Sequence, residues 1–110
     1  MEIESKKHFL MLLSLSKENP AVGKAVLDRL KGNVDSGATP AWIDSRGAGV
    51  FFTTDLPVWK IWSAAFPERL DREDQMTMKD MLIVQIGPGW YAGDSQTKYA
   101  AWLNTRYPRN

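Results

Sequence analysis

Two short apolar runs constrain this chain more than any other feature. "FLMLLSL" at residues 9–15 and "MLIVQI" at residues 81–86 carry apolar side chains at both odd and even positions. A strand that alternates apolar and polar residues can leave one face in water, and these runs cannot. Each has the length of a strand and is far too short to span a bilayer as a helix. They predict two strands, over residues 8–16 and 81–86, whose faces both need cover. Helices, the C-terminal segment or a second subunit can supply it.

The intervening sequence predicts the rest of the architecture. "ENPAVGKAVLDRLKGN" (18–33) reads as a helix, with Asn19 as N-cap, Pro20 in the first turn and Val22, Ala25, Val26 and Leu30 as an apolar stripe. Gly32 and Asn33 are its expected terminators. Residues 35–40, "DSGATP", read as a loop. "AWIDS" and "GVFFTTD" then form a hairpin joined through Arg46, Gly47, Ala48 and Gly49. Pro57 opens a second helix with Val58, Ile61, Trp62, Ala65 and Phe66 on its apolar side, and Pro67 stops it. A charged connection, residues 68–79, leads to the second apolar strand. Asp94 or Ser95 caps a final helix carrying Tyr99, Trp102 and Leu103.

The expected order is strand, helix, strand, strand, helix, strand, helix. This is an α+β chain: a ferredoxin-like βαββαβ unit with an antiparallel sheet and an additional C-terminal helix. Its 110 residues suit a single domain over 1–110, with the core at about 8–103.

Composition narrows the chemistry. There are no cysteines, which removes disulfides, thiolate metal sites and thiol nucleophiles. One histidine, His8, makes the common metal and Ser-His-Asp sites poor readings, and it is expected at the surface or an edge. Fourteen basic residues against thirteen acidic ones leave a net charge of +1, so no global field draws in nucleic acid. Asp44 and Asp55 flank the hairpin, while Asp71, Glu73 and Asp74 form a charge run; no spacing among them selects a metal or acid–base pair. No catalytic residue, cofactor or metal is expected. Lys6 and Lys7 precede the first apolar run, but Glu2, Glu4, Lys17 and Glu18 frame it unlike a signal sequence. The expected location is the cytoplasm, away from membranes.

Two features invite a site reading. The first is Gly87-x-Gly89-x-x-x-Gly93, between a strand and a helix. Its spacing is looser than a dinucleotide fingerprint, it lacks the P-loop Lys-Ser/Thr pair, and too little chain follows for another helix and strand. The glycines are therefore expected to serve the turn, with Trp90 and Tyr91 as a contact pair at the loop tip. The second is the set of five tryptophans. Trp62 and Trp102 are expected in the core and Trp59 on a flank. In a sharper reading, Trp59 and Trp90 are exposed in a protein interface together with Tyr91.

"HFLMLLSLSKENPAVGKAVLDRLKG", "WIDSRGAGVFFTTDLPVWKIWSAAF", "KDMLIVQIGPGWYAG" and the closing "AAWLN" together resemble the small ferredoxin-like proteins related to the CRISPR spacer-integration subunit. That superfamily also holds toxin-like and SinR-like uncharacterised members. The resemblance covers about residues 8–103. It implies a homodimer. In its metal-dependent nuclease members an Asp ends the first strand of each subunit, and the two hold a divalent ion. Ser14, Leu15 and Ser16 stand there in this chain, and a hydroxyl does not replace a carboxylate on a hard cation. The leading expectation is a non-catalytic binding or regulatory module acting as a homodimer. The alternative is a degenerate relative of the nucleases that grips nucleic acid with Lys98, Arg106 and Arg109.

Overall fold

A computed structural model describes residues 6–65, 78–94 and 96–108. The chain runs β1 (Lys7–Leu15), α1 (Pro20–Asn33), β2 (Thr39–Asp44), β3 (Gly47–Thr54), α2 (Val58–Ala65), β4 (Met78–Gln85) and α3 (Lys98–Arg106). It is an α+β protein with a four-stranded antiparallel sheet in the order β2-β3-β1-β4. The expected stop at Pro67 and the acids Asp71, Glu73 and Asp74 lie outside the described residues, as do Ser95 and Arg109.

β1 is central, as its two-sided apolar pattern predicts, whereas β4, with the same pattern, lies at the sheet edge with Leu82 exposed. Phe9, Met11, Leu13 and Leu15 point to one face, where α1 and α2 cover them. Val22, Val26, Leu27 and Leu30 of α1, Ile61 and Ala65 of α2, and Val50 and Phe52 of β3 complete this core. Phe9 and Phe52 stack with ring centroids 5.6 Å apart. Burying a side chain of this size contributes about 1.5–3 kcal/mol, so this face holds most of the apolar stabilisation. Gly23 lets α1 approach the sheet: a Cβ there would meet Cγ2 of Ile43 at 2.8 Å.

Local chemistry sets the element ends. The Asn19 side chain accepts from Ala21 N at 3.0 Å, with Pro20 at the start of α1. Gly32 and Asn33 are the last helical residues rather than the terminators. Termination falls to Val34 and Asp35, whose amides both donate to the Leu30 carbonyl. Between the helices, Arg29 and Asn33 of α1 donate to the carbonyls of Ala65 and Ala64 of α2.

The β2–β3 turn is tighter than the sequence suggests. Asp44 pairs with Gly47, leaving Ser45 and Arg46 as the turn. The Asp44 carboxylate accepts from the amides of Arg46 and Gly47 at 2.8 and 3.0 Å. Gly47, Ala48 and Gly49 are strand residues, and both glycines are there for room. A Cβ on Gly47 would collide with the Leu13 carbonyl, and one on Gly49 with the Trp42 ring. β2 also begins earlier than expected, at Thr39, and contains a bulge between Pro40 and Trp42.

The second face receives His8, Leu10, Leu12 and Ser14 from β1, Gly49, Phe51 and Thr53 from β3, and Leu82 and Val84 from β4. α3 covers part of it. Trp102 and Leu103 pack on Phe51, with Leu10, Ala41, Ile86, Trp90 and Tyr99 around them. Thr97 caps α3, its hydroxyl accepting from Ala100 N at 3.2 Å, so the cap lies beyond the expected Asp94.

Candidate functional site

Three places on this frame have the makings of a site. The first is an apolar belt around β4. Val58, Trp59 and Trp62 of α2 face Met81, Leu82 and Ile83 across a groove of about 580 Å³. Leu82 and Met81 also line a second groove, of about 290 Å³, with Leu12, Leu13, Ser14, Trp42 and Asp80. The two grooves thus meet over the edge strand. Trp59 is 66% exposed, Leu82 53% and Trp42 45%. Trp62 is exposed on the rim rather than in the core, since α2 presents Ile61 and Ala65 inward instead.

The backbone along this belt is equally open. Ile86 N donates to His8 O at 2.8 Å, which directs the even residues of β4 toward β1. The amides and carbonyls of Met81, Ile83 and Gln85 therefore face outward. The Asp80 carboxylate accepts the Met81 N–H at 2.8 Å, a side-chain guard at one end of the edge. Among the described residues, β4 pairs with β1 alone.

The second place is the loop after β4. Trp90, Tyr91, Ala92 and Gly93 face Ala100, Ala101 and Asn104 of α3 across a groove of about 630 Å³. Tyr91 is 85% exposed, whereas Trp90 is half-buried and donates its Nε1–H to Tyr107 O at 3.1 Å. Tyr107 in turn donates its hydroxyl to Ile86 O at 2.9 Å, so loop and helix end hold each other. No glycine among the described residues has positive φ, and Gly87, Gly89 and Gly93 have open space where a Cβ would lie. The bend thus runs through ordinary backbone conformations. Trp59 lines the belt, and Trp90 and Tyr91 line this groove.

The third place is a polar cluster under the end of α3. His8 Nδ1 lies 2.8 Å from Thr53 Oγ1, and Arg106 Nε donates to the same oxygen at 3.0 Å. Arg106 also donates to Trp102 O at 3.1 Å and stacks on the Trp102 ring at 3.8 Å. Trp102 and Tyr107 meet the imidazole edge-on. The Asp35 carboxylate accepts from Thr53 N at 2.8 Å and from Gly37 N at 2.9 Å, taking the place of a β2 residue beyond the end of that strand. Burial pushes His8 below its usual range, Arg106 adds to this, and Asp35 opposes it. Burial likewise lowers Arg106, against Asp35. The indole N–H of Trp102 is buried without an acceptor among the described residues, a cost of about 1–3 kcal/mol.

His8 is therefore neither a surface nor an edge residue. It sits half-buried on the central strand, and its position on the even face of β1 was the available signal. Thr53 is committed to both His8 and Arg106, so the cluster joins elements rather than presenting a free nucleophile. Arg106 is equally engaged. Of the expected nucleic-acid contacts, Lys98 alone stands exposed among the described residues. Ser14 and Ser16 are exposed at the end of β1. Among the described residues no group of three or more His, Asp or Glu side chains converges on a point that would hold a metal, and no helix is long and apolar enough to cross a membrane.

Neither a family model, a curated protein nor a solved structure matches this chain.

Proposed function

We propose that the chain is a small non-catalytic binding or regulatory module acting as a homodimer, and that the second copy sits on the belt around β4. The observation that carries this reading is the meeting of two apolar grooves over an outward-facing strand edge, with Trp59, Leu82 and Trp42 in water. Large apolar surface joined to open backbone groups favours a protein partner. A second copy brings the same belt, and twofold pairing of like apolar strips leaves no buried charge to compensate at their centre. The strand order supports reading the unit as ferredoxin-like, with α3 as the added helix.

Sedimentation velocity of the full chain at micromolar concentrations tests the reading. The expected result is a dimer that Leu82→Asp converts to monomer without loss of secondary structure. A wild-type chain that stays monomeric throughout would remove it. A salt-dependent shift of nucleic acid that requires Lys98 would favour the alternative.

A further inference from the structure

The end of α3 is fastened to the sheet by a network in which one hydroxyl, that of Thr53, joins His8 to Arg106. Thr53 Oγ1 accepts the Arg106 Nε–H, so its own hydrogen is available for His8 Nδ1. With Nδ1 as acceptor the imidazole is neutral and carries its hydrogen on Nε2; in the other neutral tautomer Nδ1 donates to the second lone pair of Thr53 Oγ1. A proton on Nδ1 turns the acceptor into a donor. Thr53 then faces donors from two cations, and its hydroxyl hydrogen loses its acceptor. The new charge lies beside the Arg106 guanidinium.

The surroundings do little to absorb that charge. The charged or titratable groups facing His8 among the described residues are Arg106 and Tyr107 from the C-terminal segment, and Asp35 from the α1–β2 loop. β3 contributes the neutral Thr53, and β4 the backbone of Ile86. Asp35 is already engaged with the amides of Thr53 and Gly37.

We propose that His8 is a proton-operated latch for the C-terminal helix: protonation of its ring loosens the Thr53–Arg106 tie and lets α3 leave the second face of the sheet. Departure of α3 uncovers Phe51 and Leu10, which adjoin the surface already open at Leu12, Leu82 and Trp42. Weak acid therefore enlarges the apolar face available to a partner. The latch is read from the helix itself and does not require the chain to be a dimer.

The chain has one histidine, so a single imidazole Cε1–H signal reports its titration. Amide exchange across residues 98–106, corrected for intrinsic rates, is followed on the same samples from about pH 8 to about pH 5. The expected result is a several-fold loss of α3 protection that tracks the His8 midpoint, while β1 and β3 stay protected. Protection of α3 that is unchanged through the His8 titration overturns the proposal. Arg106→Gln keeps a donor but removes the charge; the midpoint is expected to rise and the loss of protection to move with it. His8→Gln is expected to make α3 protection independent of pH in this range, and persistence of the same transition overturns the latch. Should His8→Gln fail to fold, the wild-type and Arg106→Gln titrations decide the question alone.

Discussion

The two faces of this sheet are made by alternate residues of the same strands, yet they are held differently. Under α1 and α2 the contacts are almost wholly apolar and deeply buried: Phe9, Met11, Phe52, Leu30 and Ile61 have little or no exposure. Under α3 a smaller cluster of Phe51, Trp102 and Leu103 depends on hydrogen bonds from Arg106, Trp90 and Tyr107 for its position. Apolar packing has no direction and little dependence on pH. Directional bonds among titratable groups give less stabilisation and more control. One face carries the fold, and the other is where the fold can respond.

The largest expected effect breaks the first face. Phe52→Ala leaves a cavity opposite Phe9 and is expected to cost about 3–5 kcal/mol, seen as a lower denaturant midpoint. Phe51→Ala, one residue away on the other face, is expected to cost less globally and to show instead as faster amide exchange in α3. Equal global losses for the two variants would show that the faces are one cooperative unit.

Gly49→Ala tests the uncovered half of the second face. The added methyl displaces the Trp42 ring, with an expected loss of about 1–3 kcal/mol in chemical denaturation and a change in tryptophan emission. Asp44→Ala removes the acceptor of two turn amides and is expected to cost about 1 kcal/mol in the same measurement.

A pH series separates the faces with a smaller signal. His8 is held below its ordinary value of 6.5 in the fold, so the unfolded chain takes up more protons in the window beneath 6.5. Its contribution to stability is full above 6.5 and falls as pH drops toward the lowered folded value. Denaturant midpoints across this window are expected to decline in the wild type more steeply than in His8→Gln. The smallest effect is expected at the exposed Lys24–Asp28 pair, 3.7 Å apart: Lys24→Ala is expected to change stability by no more than about 0.5 kcal/mol.

Much of the frame was legible because burial imposes period. The doubled apolar pattern at residues 9–15 identifies a covered strand, and Asn19-Pro20 marks a helix start on chemistry alone. The hairpin turn was misplaced because glycine has two uses. At 47 and 49 it makes room for the Leu13 carbonyl and the Trp42 ring, and sequence cannot distinguish that from a turn until the register is known. Spacing places Trp62 on the apolar side of α2, but over Val58–Ala65 the buried positions are Ile61 and Ala65, and Trp62 falls on the rim. The belt was half legible. Trp59 stood out as an aromatic on an exposed flank, but Trp42 and Leu82 join it only through the pairing of β2 with β3 and β4 with β1. The His8 cluster draws on residues 8, 35, 53, 102, 106 and 107, and nothing local connects them.

The bulge at Ala41 has a consequence for how this chain tolerates change in length. A strand that loses one residue ordinarily turns every side chain beyond the gap to the wrong face. Thr39 and Pro40 already pair with Phe51 and Val50, while Trp42 pairs with Gly49, so Ala41 is supernumerary to the ladder. A variant lacking Ala41 could keep all of these partners and lose mainly a contact with α3. Deletion of Ile43, two positions on, would instead break the pairing of Ile43 with Ala48 and displace Asp44 from its place opposite Gly47. Along this strand, then, position 41 is the place where evolution or an engineer can shorten the chain without rewriting the sheet.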